Sequence, residues 1–201
     1  MQLIFATQNQ HKVDEIQAAI GDQLQIISLK DAAITTEIPE PFDTLEANAS
    51  IKSKTIHDLT GLNCFSEDTG LEVDALNGEP GVKSARYAGE EKSFEQNIQK
   101  LLNKLGQRPD RHARFRTIIS LIWNEREFLF EGSCEGQIIF QKRGESGFGY
   151  DPIFVPSGSD RTFSEMTTEE KNQFSHRKKA ADKLIHFLRE QKLPATTNQT
   201  L

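Results

Sequence analysis

Apolar positions along the chain follow two periods, short strand-type runs and helix-type stripes at i, i+3, i+4. Leu3 to Thr7 is a short apolar run that predicts a buried strand. Asn9 then fits the N-cap of a helix whose apolar face carries Val13, Ile16 and Ile20 and which Gly21 ends. A second strand, LQIISL, leads into a proline-bearing loop from Ile34 to Phe42. Asp43 or Thr44 can cap the next helix, which runs to about Leu59 and stops at Gly61. Asn63 to Leu76, NCFSEDTGLEVDAL, predicts two buried strands around a Thr-Gly turn, and NGEPGVKSARYAGE reads as loop because of its Asn-Gly and Pro-Gly pairs. Ser93 with Gln96 makes a capping box for a helix ending near Gly106.

Past the polar linker GQRPDRH the period changes. ARFRTIISLIWN and REFLFEGSCEGQIIF are long β-rich runs joined by Asn124 to Arg126, an antiparallel hairpin. From Ser175, the positions Ala181, Leu184, Ile185 and Leu188 mark a helix packed by one face, and the tail PATTNQTL, from about residue 192, is expected to fray. Strand and helix alternate first and a hairpin follows, so an α/β fold with a mixed sheet is expected. There are no repeats or low-complexity blocks.

A chain of 201 residues suits one domain with a sizeable core. Its 24 basic and 30 acidic side chains give a net charge of -6, which argues against a nucleic-acid or anionic-membrane surface. Any anionic ligand must therefore be met locally. No apolar stretch approaches the roughly 18 residues of a membrane span and the N-terminus lacks a basic leader, so a soluble, cytoplasmic protein is expected. Cys64 and Cys134 have no CxxC spacing and sit in apolar or strand-like runs, which predicts buried free thiols rather than a disulfide or a zinc site.

The chemistry concentrates in a few segments. Glu67, Asp68, Glu72 and Asp74 stand among apolar residues, and a buried carboxylate asks for a cation. Glu40, Glu67, Asp68 and Asp74 are hard oxygen donors that suit magnesium, whereas Glu72 is expected on the strand face opposite Leu71 and Val73. Thr7, Asn9 and Lys12 lie at a strand-to-helix turn, where free N–H groups attract phosphate; the Walker spacing is absent. Gly147 and Gly149 flank Phe148 beside Tyr150 and Asp151, placing aromatic rings on a backbone that a ligand can approach closely. Lys171, His176 and Arg177 precede or open the last helix, where cations oppose the dipole and need an anion or carbonyl nearby. Each segment alone also fits a plain structural reading: a capped helix, a glycine turn with core aromatics, a solvated charge run.

Together, FATQNQHK, SEDTGLEVDALNGEPGVKSARYAG, SGFGYDPIF and EEKNQFSHR resemble the inosine/xanthosine triphosphate pyrophosphatase family from residue 2 to about residue 190. The resemblance implies an elongated α/β fold with a mixed central sheet, flanking helices and two lobes around an active-site cleft. It also implies a single nucleotide pyrophosphatase domain, usually a homodimer, that uses Mg2+ to hydrolyse ITP, dITP and XTP to the monophosphate and pyrophosphate. By match to the family motifs, Thr7, Gln8, Asn9, Gln10, His11 and Lys12 form the phosphate-binding turn. Asp68 is the catalytic acid, proton acceptor and metal ligand, and Glu40 is a second metal-associated carboxylate. Lys52 is a phosphate contact and Thr69 a substrate contact; Phe148, Gly149, Tyr150, Asp151, Lys171, His176 and Arg177 form the nucleoside-binding set. Lys12, Lys52 and Lys171 would offset phosphate charge. Two positions depart from the family: Gln8 replaces a smaller residue, and Glu67 replaces an Asp, its longer side chain displacing the carboxylate away from a metal. A pyrophosphatase for modified pyrimidines or methylated bases and a non-hydrolysing nucleotide sensor are the alternatives.

Overall fold

The first strand-helix-strand unit forms as its pattern predicts: β1 (Gln2–Phe5), α1 (Gln10–Ile20) and β2 (Gln25–Ser28), with β1 and β2 paired in parallel. The structure, a computed structural model, describes residues 2–192, so the tail PATTNQTL lies outside the described residues. Asn9 occupies the N-cap position, yet its side chain makes no capping bond, and its backbone N–H donates instead to Thr7 Oγ1 at 3.2 Å. The Asn9 amide is thus left for other partners. α2 (Leu45–Thr60) is capped by Thr44, whose hydroxyl accepts from the Ala47 N–H, and ends at a left-handed Gly61.

The acidic segment differs from expectation. It is one continuous strand, β3 (Cys64–Val73), without a turn at Thr69-Gly70. A Cβ at Gly70 would lie 2.6 Å from the Gly81 carbonyl oxygen of β4 (Pro80–Gly81), which pairs antiparallel with β3. The glycine therefore serves the close approach of two backbones, not a change of direction.

α3 (Phe94–Leu105) starts at Ser93, whose hydroxyl accepts from the Gln96 N–H. β5 (His112–Trp123) and β6 (Arg126–Ile138) form the expected hairpin, and Asn124 and Glu125 take the positive φ values of 48° and 63° that a two-residue turn with the strand twist requires. β7 (Phe154–Pro156) completes a seven-stranded sheet in the order β2-β1-β3-β5-β6-β7, with β4 on β3. Pairings through β1 are parallel and the rest antiparallel, so the sheet is mixed. The short α4 (Thr168–Asn172) precedes α5 (His176–Lys192), where the Ser175 hydroxyl accepts from the Lys178 N–H and the stripe Ala181, Leu184, Ile185 and Leu188 is buried.

α1 and α5 bury one sheet face around Phe5, Phe65 and Leu184, α2 packs the other through Ala49 and Ile56, and α3 closes a further core with Leu71, Phe115 and Phe154. β3 and β5 run from one core into the next: Phe65 and Leu121 belong to the first, Leu71 and Phe115 to the last. Glu67, Asp68 and Thr69 occupy the junction between the two apolar masses. Cys64 and Cys134 are buried free thiols, and burial pushes both up to about 12.

Candidate active site

Alternation along β3 sends Asp68 and Glu67 to opposite faces of the sheet. Asp68 meets α2, whose buried stripe comprises Leu45, Asn48, Ala49, Lys52, Ser53 and Ile56. Lys52 is the one cation in that stripe; its Nζ lies 3.3 Å from Asp68 Oδ1 and 2.5 Å from Glu40 Oε1. Burial pushes the Asp68 carboxyl above the usual carboxylate range even though Lys52 draws it down. Burial also works against the Lys52 ammonium, but Asp68 and Glu40 outweigh it and hold the amine charged.

On the other face Glu67 is fully buried and accepts from Arg177 Nε at 2.8 Å, from Arg177 Nη2 at 3.1 Å and from Lys12 Nζ at 2.9 Å. Arg177 also bonds Glu15 and reaches Thr69 Oγ1 at 3.3 Å. Lys171 Nζ donates at 2.7 Å both to Glu15 and to Asp151. Charges therefore alternate along a chain in which Glu67, Arg177, Lys171 and Asp151 are buried and Lys12 and Glu15 partly so: Lys12, Glu67, Arg177, Glu15, Lys171, Asp151. Burial alone would raise the Glu67 carboxyl, but Arg177 and Lys12 hold it well below the usual range.

A depressed carboxylate contributes stability above its unfolded pKa and loses it as pH falls through the folded value. Glu67→Gln is therefore expected to cost about 3–5 kcal/mol at neutral pH, the scale for stranding a buried charge, since two cations lose it at once: Arg177 would keep only Glu15, and Lys12 would keep no carboxylate among the described residues. Urea unfolding of both proteins across pH checks this. The gap should narrow only below the usual carboxylate range, and a difference under about 1 kcal/mol at neutral pH would contradict it.

The aromatic end is built on glycine geometry. Gly147 has φ 81°, and a Cβ there would sit 2.3 Å from Asp151 Oδ2, which accepts from the Phe148 N–H at 3.0 Å. The Phe148 ring faces Lys171 Nζ at 5.5 Å and the Arg177 guanidinium at 5.7 Å, and stacks on His11 at 5.1 Å. His176 is 2 % exposed and stacks on Phe115 at 4.7 Å, and its Nδ1 has no partner among the described residues. Burial, with Arg177 and Lys171 nearby, takes His176 well below its ordinary value, so the ring is neutral. Of the two expected donors at the helix start, only Arg177 is a cation, and the anions it requires are Glu67 and Glu15.

All the expected site residues except Gln10 and His11 line one cleft of about 280 Å³. Gln10 faces solvent and bonds Asp14, because the helix turn carries it away from the cleft; His11 joins the aromatic end through Phe148 rather than the phosphate turn. Lys171 likewise stands at the aromatic end, between Glu15 and Asp151. The longer Gln8 is accommodated by donating to the Thr36 carbonyl at 3.4 Å. Glu67 is committed to cations on the far face of β3 and so is no metal donor, and Asp74 leaves the site to bond His112 and Arg114. Glu72 pairs with Arg114, on the face opposite Leu71 and Val73. Glu15 is absent from the sequence-derived set. Its signal was present, since it follows Lys12 by three residues on the same helix face. Phe115, which stacks on His176, carried no local signal.

Fold and cleft define an α/β protein that gathers buried carboxylates and cations at the junction of two apolar cores, around a space sized for a small molecule. The Ham1 family model matches residues 3–187, and the chain belongs to that family. It is 46% identical over 188 residues to a dITP/XTP pyrophosphatase of Flavobacterium johnsoniae, covering 94% of this chain and 98% of the relative. To the dITP/XTP pyrophosphatase of Porphyromonas gingivalis it is 48% identical over 187 residues, covering 92% and 96%. The solved Ham1 protein of Staphylococcus aureus superposes with a TM-score of 0.86 at 40% identity, over 96% of this chain and all of the other (100%).

Proposed function

We propose that the protein hydrolyses non-standard purine nucleoside triphosphates, ITP, dITP and XTP, to the nucleoside monophosphate and pyrophosphate with Mg2+ as cofactor. It would act as a cytoplasmic homodimer, each chain a single nucleotide pyrophosphatase domain over residues 1–201. What carries this reading is Asp68, a buried carboxylate facing the cleft beside Lys52, with Glu40 across the same lysine. The activity printed for the curated relatives supports the substrate class. Among the described residues, no helix is long and apolar enough to cross a membrane.

Burial that raises Asp68 brings it closer to the operating pH, where a general base works best. Asp68 accepts a proton from water as the water oxygen bonds the α-phosphorus. The bond from that phosphorus to the bridging oxygen breaks, and pyrophosphate leaves. Lys12 and Lys52 offset the phosphate charge, which an acidic protein would otherwise repel. Glu40 and Asp68 fit magnesium, which binds through one or two carboxylates plus substrate phosphates. Among the described residues no cage of three or more His, Cys, Asp or Glu side chains exists, and magnesium bound through two carboxylates, substrate phosphates and water needs none. When bound, the ion supplies positive charge against the phosphate oxygens.

Reaction of ITP with magnesium in heavy-oxygen water tests the proposal. Label is expected in the nucleoside monophosphate, with intact pyrophosphate released. Label in pyrophosphate, or release of orthophosphate, would rule it out, and binding of ITP without turnover would favour the sensor.

A further inference from the structure

Glu40 stands between Pro39 and Pro41, so neither neighbour has a backbone N–H, and a residue before proline is confined to extended conformations. The segment is stiff in itself and must be fixed from outside. At Phe42 this is done by Asn48 of α2, which accepts from the Phe42 N–H and donates to its carbonyl, both at 3.0 Å. At Glu40 it is done by Arg86, from the single helical turn Ser84–Arg86. Arg86 Nη2 donates to the Glu40 backbone carbonyl at 3.0 Å, and Nη1 lies 3.5 Å from the Glu40 carboxylate Oε2. The other carboxylate oxygen, Oε1, takes Lys52.

We infer that Arg86 is a positioning residue for the reaction proposed above, acting through Glu40. It holds main chain and side chain of that one residue, and so sets where the carboxylate stands relative to Lys52 and Asp68. Arg86 is not among the residues lining the cleft, although Ser84 and Ala85 beside it are. A half-exposed ion pair at 3.5 Å contributes little by itself. The bond to the backbone carbonyl is what makes the contact a clasp, because a guanidinium presents separate N–H groups in a rigid planar fork that fixes two acceptors relative to each other, whereas a lysine is a single point charge on a flexible stem.

The inference rests on the proposed function, and two measurements on the full chain keep the two apart. Amide hydrogen exchange at Phe42, whose N–H donates to Asn48 Oδ1, is read without nucleotide and is expected to speed up about tenfold in Arg86→Ala, the effect of losing roughly one hydrogen bond that anchors the segment. Arg86→Lys should show most of this increase while retaining the charge. Pyrophosphate release from ITP is expected to fall about 10–100-fold in kcat, the scale of a small misplacement, with KM within about threefold. In a Glu40→Gln background, Arg86→Ala should add less than about twofold, because residues acting through one another are not additive. Unchanged exchange would overturn the inference, and so would kinetic losses that multiply in the double variant. An unmutated protein without hydrolysis would remove the function instead, and the exchange result would still show whether Arg86 holds the segment.

Discussion

Asp68→Asn is expected to leave the protein folded and able to bind ITP while lowering kcat by at least about a hundredfold, the usual scale for losing a general base. The change is conservative in shape. Asparagine keeps an oxygen for Lys52 to donate to, and Glu40 remains as its charged partner, so no buried cation is stranded. It also removes a charge that burial disfavours, so stability should hold or rise. What is lost is the lone pair that takes the proton of water. Calorimetric binding of ITP and quenched-flow measurement of pyrophosphate release separate the two effects, and near-normal turnover in a folded, binding variant would sink the assignment. The same geometry sets the pH dependence of the unmutated protein. Protonated Asp68 cannot accept, so kcat is present above its folded pKa and lost below it. Burial raises that pKa and the positive charge of magnesium opposes the rise, so the acid limb of kcat is expected to move to lower pH as magnesium approaches saturation.

Most of the fold was legible because its determinants are local. The Val13, Ile16, Ile20 stripe, the Gly21 and Gly61 stops and the hairpin turn at Asn124 each depend on neighbours within one or two turns. Gly70 was misread because a glycine marks both turns and close approaches, and the oxygen that excludes its Cβ belongs to Gly81, a partner that exists only after β4 folds back. The site divides the same way. Residue types that bind phosphate or metal were visible in their segments, whereas their pairings were not. Glu15 looks like any helix-surface acid until Lys171 and Arg177, 156 and 162 residues away, bury it. His176 reads as a cation until Phe115 encloses it. Alternation along β3 separates Glu67 from Asp68, which adjacency in the sequence had placed together.

ITP and XTP are expected to exceed ATP in kcat/KM by up to about ten-thousandfold, the range open to a site whose buried donors are left unpaired by the wrong base. Hypoxanthine and xanthine present an acceptor oxygen at purine position 6, where adenine presents an amino donor. Neutral His176 can turn either a donor or an acceptor to a base, so it does not decide between them. Lys171 and Arg177 can only donate, and Asp151, Glu15 and Glu67 hold them beside the Phe148 ring. An adenine amino group placed there meets donors that the protein cannot rotate away without breaking buried ion pairs. Guanine carries the same oxygen, so its exclusion must act on the 2-amino group. Arg177→Ala is a poor test, because it would strand Glu67 and Glu15 and unsettle the fold. Arg177→Lys keeps a charge near both carboxylates but loses the fork, and it should narrow the preference by slowing ITP and XTP while leaving ATP almost unchanged. The measurement is kcat/KM for ITP, XTP, GTP and ATP in both proteins. Comparable values for ITP and ATP in the unmutated enzyme would refute this account, because fixed donors at the base edge would then have no consequence for the base that is chosen.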